Sequence, residues 1–500
     1  MRLIFKIFVL FLCSIFSFCS SDDKLENVTD DEVSVGETPS DDTTSESTTS
    51  ITKGGITWSF DETQTGRFLD GSPWIISDGN IKLTATLPVS KEGRNGGFVN
   101  PDNSFSNGSD DRMKFNDYKH EENVTSLEKL PINLLPGNSY LQTKSKDSDA
   151  PGDNSDLEEI QVLTVLDVAP PIESFRPPYS GTLKPIYKKS DIKWSNLLSY
   201  TNTANTPSIE ECLRYFSGGP YMKIKTGFAD RYWHADANHP NGEYGREIAK
   251  NTGKALIRAM LEGTQSEKEE LVIALIQAGI DCYGAAKSGL SWDADGGHNQ
   301  GAKMLILFAG KMLESQELLE VANWEKTDIF QEDQQAFYIN QEAVDISNGN
   351  GTENWDPDER NGAAKKYEVA DIGRPEWGIR HYRSSKRSDM AWHSRYRQVS
   401  GSAQFSHCVA AYLMDVQKEW NHSAWFDYFL NRYYIVESGN DPATKAKSGI
   451  GNGANSITTF ASEVYLKHIN PIPSNTVPAK SSIDGVVLGK VSIIRDLEPR

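Results

Sequence analysis

The hydrophobic pattern of the chain changes at the segment FRPPYSG, residues 175–181. Before it, short β-branched and aromatic runs such as ITWSF, WIIS and IKLTATL are separated by Gly, Pro, Asn and Asp, which is typical of strands. After about residue 190 the apolar residues follow helical spacing. Because 500 residues exceed one simple core, the sequence predicts two domains. These are a β-sandwich-like domain over 53–175 and a helical domain over 176–500.

The helical part is predicted to consist of helix hairpins. The stretch SEKEELVIALIQAGIDCYGAAK carries a capping box, Ser266 with Glu269, in front of its apolar face. Similar spacing recurs at short intervals in 243–262, 299–314, 402–418, 423–436 and 454–468. Hairpins that curl into a ring form an α/α toroid, and we expect this architecture by analogy. The polar stretch 340–395 is not clearly helical, and loops of that length are usually functional or disordered.

The N-terminus has the features of an export signal. A short basic start, MRLIFK, precedes an apolar run that is too short to span a bilayer, so we expect residues 1–18 to be a signal peptide. Cys19 directly follows this run and resembles the lipid-modified Cys of bacterial lipoproteins; the alternative is an ordinary signal peptide cut elsewhere. Residues 19–52 are acidic and poor in apolar residues, which predicts a disordered tether. The acidic CSSDDK that begins at Cys19 resembles the signal that sends bacterial lipoproteins to the cell surface. This resemblance implies a lipid-anchored protein on the outer membrane, facing the cell surface.

Charge and cysteine content exclude two classes. The formal net charge is −19, whereas general nucleic-acid binding needs a basic surface, so no nucleic-acid partner is expected. Once Cys13 is removed and Cys19 acylated, the remaining Cys residues are scattered, and they make neither a disulfide framework nor a metal cluster.

The first polar cluster is SWDADGGHNQGAK, residues 291–303, between two apolar helical stretches. Its two glycines allow a tight turn and a close approach to a ligand. His298 lies at a predicted helix start, where the helix dipole disfavours a protonated imidazole, so His298 can accept a proton. The alternative is that His298 only caps the helix.

The second cluster is HADANHPNGEYGREIA, residues 234–249. It places His234, Asn238, Tyr244 and Arg246 close to a helix start, where they are candidate substrate-binding or catalytic residues. His234 and His239 with Asp236 could also ligate a metal, but the sequence has no HExxH register. No metal site is therefore predicted, and a divalent cation such as calcium remains open as a cofactor.

The third cluster, residues 374–398, is locally basic. From Arg374 to Arg397 it holds seven Lys or Arg against two acids, a balance of +5 within a protein of −19. Cations alternate with aromatic residues in WGIRHY and WHSRYR. Aromatic rings such as Trp377 can stack on sugars, and Arg380 and Arg397 can pair with carboxylate or sulfate. A positive cleft in a negative protein concentrates anions, which favours an acidic polysaccharide as substrate over the alternative of a solvated basic loop.

Two chemistries compete. A glycoside hydrolase needs two carboxyl groups, for which Asp295, Asp333 and Glu376 are the candidates. A lyase removes the proton next to a uronate carboxylate, and it needs a neutralising cation, a base and a proton donor. The clusters are richer in His, Tyr and Arg than in paired carboxylates, which favours elimination. The candidates follow by role: His298 or His381 as base, Tyr396 or Tyr244 as proton donor, and Arg380, Arg397 and Asn238 on the uronate.

A family resemblance agrees with elimination. The motifs GIDCYG, DGGHNQGAK, FQEDQQAFY, PEWGIRHY and WHSRYRQ, with the lipoprotein-like start, resemble surface-anchored ulvan lyases of marine bacteria. The resemblance implies endo-acting β-elimination on a sulfated polysaccharide that contains rhamnose 3-sulfate and uronic acids, and a product with an unsaturated uronyl end. A non-catalytic glycan-binding lipoprotein is the third alternative, because it would share the anchor, the tether and the β domain.

Overall fold

The computed structural model describes most of the central part of the chain. The described residues are 46–90, 95–100, 130–145, 157–216, 219–221, 224–226, 231–233, 243–292, 301–324, 329–349, 367–377, 401–430 and 458–469. The predicted signal peptide, Cys19 and most of the predicted tether lie outside them. The sheet and the helices belong to one compact unit, Thr44–Arg500.

The N-terminal part forms an eight-stranded curled sheet, in the order β5-β7-β8-β3-β2-β4-β6 with β1 paired to β2. Its strands are β1 Glu46–Lys53, β2 Ile56–Arg67, β3 Pro73–Ile76, β4 Ile81–Leu87, β5 Gly97–Val99, β6 Ile132–Leu134, β7 Ser139–Ser145 and β8 Leu157–Leu166. Neighbours are antiparallel except β3 and β8. Ile56, Trp58 and Phe60 alternate with less buried residues and pack into the sheet's own core, as period-2 patterning requires.

The strand β1 corrects the predicted boundary of the tether. It begins at Glu46, inside the stretch 19–52 that was predicted to be disordered. It pairs along β2, from Glu46 opposite Thr65 to Lys53 opposite Ile56. A strand on the edge of a sheet is held by its backbone ladder, so the polar sequence ESTTSITK does not prevent pairing, and its β-branched Thr and Ile favour it.

The helical part begins after the sheet, as predicted. Its helices are α1 Ile209–Leu213, α2 Gly245–Ala259, α3 Gln265–Lys287, α4 Lys303–Leu313, α5 Gln316–Leu319, α6 Gln331–Gln335, α7 Gln341–Ser347, α8 Phe405–Leu413, α9 Gln417–Trp420, α10 Ser423–Phe426 and α11 Thr459–Val464. Two small sheets join them: β9 Ile224–Thr226, β10 Arg231–Trp233 and β11 Glu243–Tyr244 form one, and β12 Ala336–Tyr338 with β13 Pro375–Trp377 form the other. The prediction of mixed β and α content is confirmed.

Two predicted helix starts are wrong by a few residues. The capping box at α3 is Thr264 with Glu267, because the Thr264 hydroxyl accepts from the Glu267 N–H and the Glu267 carboxylate accepts from the Thr264 N–H. The helix α4 begins at Lys303 and not near Asn299, after Gly301 with its φ of +91°.

Among the described residues, no helix combines the length and apolar composition that crossing a membrane requires.

A buried charge cluster joins the sheet to the helices. Arg176, in the connecting segment, is fully enclosed and donates to Asp70 at 2.9 Å and to both carboxylate oxygens of Asp281 at 2.7 and 2.8 Å. Asp70 follows β2, and Asp281 lies on α3. The Tyr221 N–H also donates to Asp281, at 3.0 Å. The guanidinium therefore ties the two parts of the fold together at the predicted boundary between 175 and 176.

Candidate active site

The segment 329–338 holds both ends of the loop that contains the first polar cluster. The Trp292 N–H donates to the Ile329 carbonyl at 2.6 Å, and the Trp292 and Phe330 rings stack with centroids 5.7 Å apart. At the other end, the Gly301 N–H donates to the Glu332 carboxylate at 2.7 Å. Residues 293–300, which contain His298, thus begin and end on this segment.

The third cluster is attached to the same segment. Trp377 on β13 pairs with Ala336 on β12. Gly401, where the described chain resumes, packs on the Trp377 ring so closely that an added Cβ would lie 3.3 Å from it. Residues 378–400, with His381 and the candidate arginines, therefore also begin and end beside segment 329–338.

Helix α2 begins within the second polar cluster and packs against the end of the first polar cluster, at Gly301. The His407 ring donates from Nε2 to the Ala249 carbonyl at 2.7 Å. A Cβ on Gly301 would lie 3.0 Å from this ring and 3.2 Å from the Ala249 Cα. The described residues that flank the three clusters thus meet at one place in the fold.

A buried ammonium group lies at this meeting point. Lys303 is 1% exposed, and its Nζ donates to Asp333 at 2.6 Å and to the Trp420 carbonyl at 2.7 Å. It also lies 4.9 Å from the centroid of the Trp420 ring. Burial lowers the pKa of Lys303, although the adjacent Asp333 opposes the shift. Asp333 is 19% exposed, so this ion pair reaches solvent through its carboxylate.

His422 lies within electrostatic reach of the ion pair. Its Nε2 is 2.8 Å from the Ala336 carbonyl, which can only accept, so this nitrogen carries a proton. Burial lowers the pKa of His422; the charge of Asp333 raises it and that of Lys303 lowers it. The side chain is half-buried. The imidazole is therefore neutral near neutral pH, with its unprotonated nitrogen at Nδ1.

A tyrosine and a carboxylate complete the polar surroundings. The Tyr338 hydroxyl, on β12, donates to the Asp427 carboxylate. Burial and this carboxylate raise the pKa of Tyr338. Tyr338 therefore stays protonated in the neutral pH range.

Most of the residues predicted for the site lie outside the described residues: His298, His381, Tyr396, Arg380, Arg397, Asn238, His234 and Asp295. Tyr244 is described by its backbone, which pairs with Arg231 in the small sheet. Arg246 is half-buried, and its guanidinium contacts the Glu247 carboxylate at 2.5 Å. An Arg already paired in this way is less available to a uronate than the prediction assumed.

Two further candidates, Trp377 and Glu376, and the Trp292 ring of the first polar cluster occupy positions in the core. The Trp377 ring is fully buried against Tyr428 and Phe429, so in this conformation it offers no face to a sugar. Trp292 is 3% exposed. Glu376 is fully buried and accepts from the Tyr367 hydroxyl and the Trp377 N–H, each at 2.8 Å. These contacts are structural, because the rings pack in the apolar core and both carboxylate oxygens of Glu376 accept hydrogen bonds from within the protein.

The sequence analysis missed Lys303 and His422. Lys303 is the first residue of the apolar helical stretch KMLILFAG. A lone cation at the start of such a stretch was the sequence feature that could have indicated a functional lysine. His422 stands in NHSAWF without any neighbouring reactive residue, so no local pattern distinguished it.

Within the described ranges, no group of three His, Cys, Asp or Glu side chains could hold a metal ion. His234, Asp236 and His239 lie outside these ranges, so the question of calcium stays with the sequence prediction. No protein-family model matches the sequence, and no curated protein or solved structure matches it. The link to ulvan lyases therefore stays a proposal.

Proposed function

We propose that the protein is an endo-acting polysaccharide lyase that cleaves ulvan, a sulfated uronate-containing polysaccharide, by β-elimination. The observation that carries the proposal is the meeting of the three clusters' flanking residues around segment 329–338, at Trp292, Gly301, Ala249 and Trp377. Chain segments that begin and end together can present their side chains to one substrate. The segment 378–400 holds six Lys or Arg residues and one acidic residue, whereas the net charge of the whole protein is −19. Such a local positive charge attracts a polyanion.

The proposed chemistry follows from the uronate. Its carboxylate resists loss of the adjacent proton until a cation neutralises it, which is the role we give to Arg380 and Arg397, with Asn238 as a further contact. The base is an imidazole, for which the sequence offers His298 and His381, and the proton donor is Tyr396 or Tyr244. Arg246 and His234 are further proposed substrate contacts.

The proposal includes architecture and location. The helices belong to an α/α toroid, whose loops converge at one end. Acylation of Cys19 holds the protein on the outer membrane, with the substrate outside the cell. Ulvan is the proposed binding partner, and no nucleic-acid partner is proposed. Whether activity needs a divalent cation such as calcium is tested by adding a chelator to the assay.

The test is an assay of the purified protein on ulvan. A lyase produces an unsaturated uronyl end, and we expect ultraviolet absorbance to rise in step with new chain ends. New reducing ends without this absorbance would mean hydrolysis; of the three carboxylates predicted for it, Asp333 is described and 19% exposed, whereas Glu376 is buried. Binding without cleavage of any acidic glycan would instead indicate a glycan-binding lipoprotein.

A further inference from the structure

We propose that His422, through its Nδ1, is the base that takes the uronate proton. This inference rests on the proposed lyase function and adds to it a catalytic residue that no sequence motif marks. Asp333 and Lys303 are its positioning residues, because they act on the imidazole and not on the sugar.

The first argument is the tautomer. A backbone carbonyl has no proton to give, so the bond of 2.8 Å from His422 Nε2 to the Ala336 oxygen places the proton on Nε2. The lone pair of the neutral ring is then on Nδ1. Within the described residues, His422 makes no other side-chain hydrogen bond, and the ring is half-buried. The nitrogen that can accept a proton is therefore not occupied by another described group.

The second argument is position. Ala336, which holds the ring, is paired with Trp377, the last described residue before 378–400. Lys303 begins the helix that follows residues 293–300, and it donates to the Trp420 carbonyl two residues before His422. The imidazole thus stands close to Trp377 and to the start of α4, the described residues that flank 378–400 and 293–300.

The third argument is charge. Among the described residues, the charged groups that act on His422 are Asp333 and Lys303. The Lys303 ammonium disfavours a second positive charge, so the imidazole stays ready to accept a proton, while Asp333 stabilises the imidazolium once it forms. Burial, with the charge of Lys303, lowers the pKa of His422 despite the opposing charge of Asp333.

The step balances as follows. Nδ1 takes the proton from C5 of the uronate, and the C5–H electron pair becomes the second bond between C4 and C5. The bond from C4 to the bridging oxygen breaks, and its electron pair leaves with that oxygen, which takes a proton from the tyrosine donor of the proposed mechanism. The imidazolium releases its proton to the solvent and the tyrosinate takes one back, so no other reactant is consumed.

The test compares His422→Gln with the wild type on ulvan. The Gln amide can still donate to the Ala336 carbonyl but cannot accept a proton, so we expect kcat to fall by at least about 100-fold, the usual contribution of a general base, with little change in KM. The matched control is His468→Gln: His468 also bonds a carbonyl through Nε2, that of Thr201 at 2.8 Å, and should leave kcat unchanged. Equal melting temperatures of the two variants exclude misfolding as the cause.

Two further measurements separate a base from a structural residue. Added imidazole should restore part of the activity of His422→Ala. The acidic limb of the kcat/KM profile should move to lower pH in Asp333→Asn, because the group that raises the pKa of His422 is lost, and to higher pH in Lys303→Met.

The two proposals fail differently. If the wild type gives no unsaturated product from ulvan or other uronate glycans, the lyase function is wrong. If the wild type is active but His422→Gln keeps its kcat, or only His298→Ala or His381→Ala abolishes activity, the assignment of His422 is overturned and the lyase function stands.

Discussion

Two ion-pair clusters among the described residues are built on a buried cation, and they differ in how many carboxylates hold that cation. Arg176 is fully buried between Asp281, which is fully buried as well, and Asp70, which is 16% exposed. Lys303 is just as buried, but it pairs with a single described carboxylate, Asp333, which is 19% exposed. The Arg176 cluster joins the sheet to α3, and the Lys303 cluster lies beside the residues that flank 293–300 and 378–400.

The difference separates a structural from a functional use of buried charge. In the Arg176 cluster, the fork of the guanidinium matches both carboxylates, and each oxygen of the enclosed Asp281 accepts from it. In the Lys303 cluster, the 19% exposed carboxylate of Asp333 acts on a half-buried imidazole, His422. The Nδ1 of this imidazole makes no hydrogen bond to a described residue, and this makes the Lys303 cluster the candidate site.

The largest effect should come from Arg176→Met. This change leaves the fully buried Asp281 carboxylate without its cation, and breaking a buried pair by removing one partner costs about 3–5 kcal/mol of unfolding free energy. The matched control is Lys189→Met, because Lys189 is 29% exposed and pairs with Glu173 and Glu269 at the surface. Such a pair contributes about 0–1 kcal/mol. Denaturant unfolding measures the unfolding free energy of both variants. Equal losses would contradict the enclosed ion pair between Arg176 and Asp281.

The pH dependence of stability gives the next effect. Burial alone would raise the pKa of Asp70, but Lys53, Arg176 and hydrogen bonds from Ser72 outweigh it and lower the pKa from 3.8 to about 2. The stabilisation is therefore complete above pH 4 and is lost as the pH falls towards 2, by about 2 kcal/mol. Unfolding of Asp70→Asn at several pH values should show a gap to the wild type that narrows over this window. A constant gap would contradict the ionised pair.

The fold could be predicted where the pattern is local. The alternation of Ile56, Trp58 and Phe60 gave the sheet, and the apolar face after Thr264 gave α3. The start of β1 could not be predicted in the same way, because an edge strand with polar side chains is held by backbone bonds that leave no hydrophobic signal.

The sequence indicated which polar stretches belong to the candidate site, but it did not indicate which side chains contact one another there. The clusters around 234–249, 291–303 and 374–398 were visible as polar stretches near apolar segments. That Lys303, Asp333 and His422 lie together depends on how α4, α6 and the start of α10 pack, and no spacing in the sequence encodes a contact between residues so far apart. Trp377 shows the reverse case: its neighbours suggested a sugar platform, whereas its burial places it in the core.

The smallest effect should come from Lys303→Met, and it tests the open cluster directly. The Met side chain can pack between the Trp420 and Phe330 rings, which Lys303 already contacts, and Asp333 can turn its exposed carboxylate to water. What remains is the loss of one hydrogen bond to the Trp420 carbonyl, about 1 kcal/mol of unfolding free energy in denaturant. A loss as large as that of Arg176→Met would mean that Asp333 is stranded in the interior. The Lys303 cluster would then be a second structural clamp, and the distinction between an enclosed and an open ion pair would disappear.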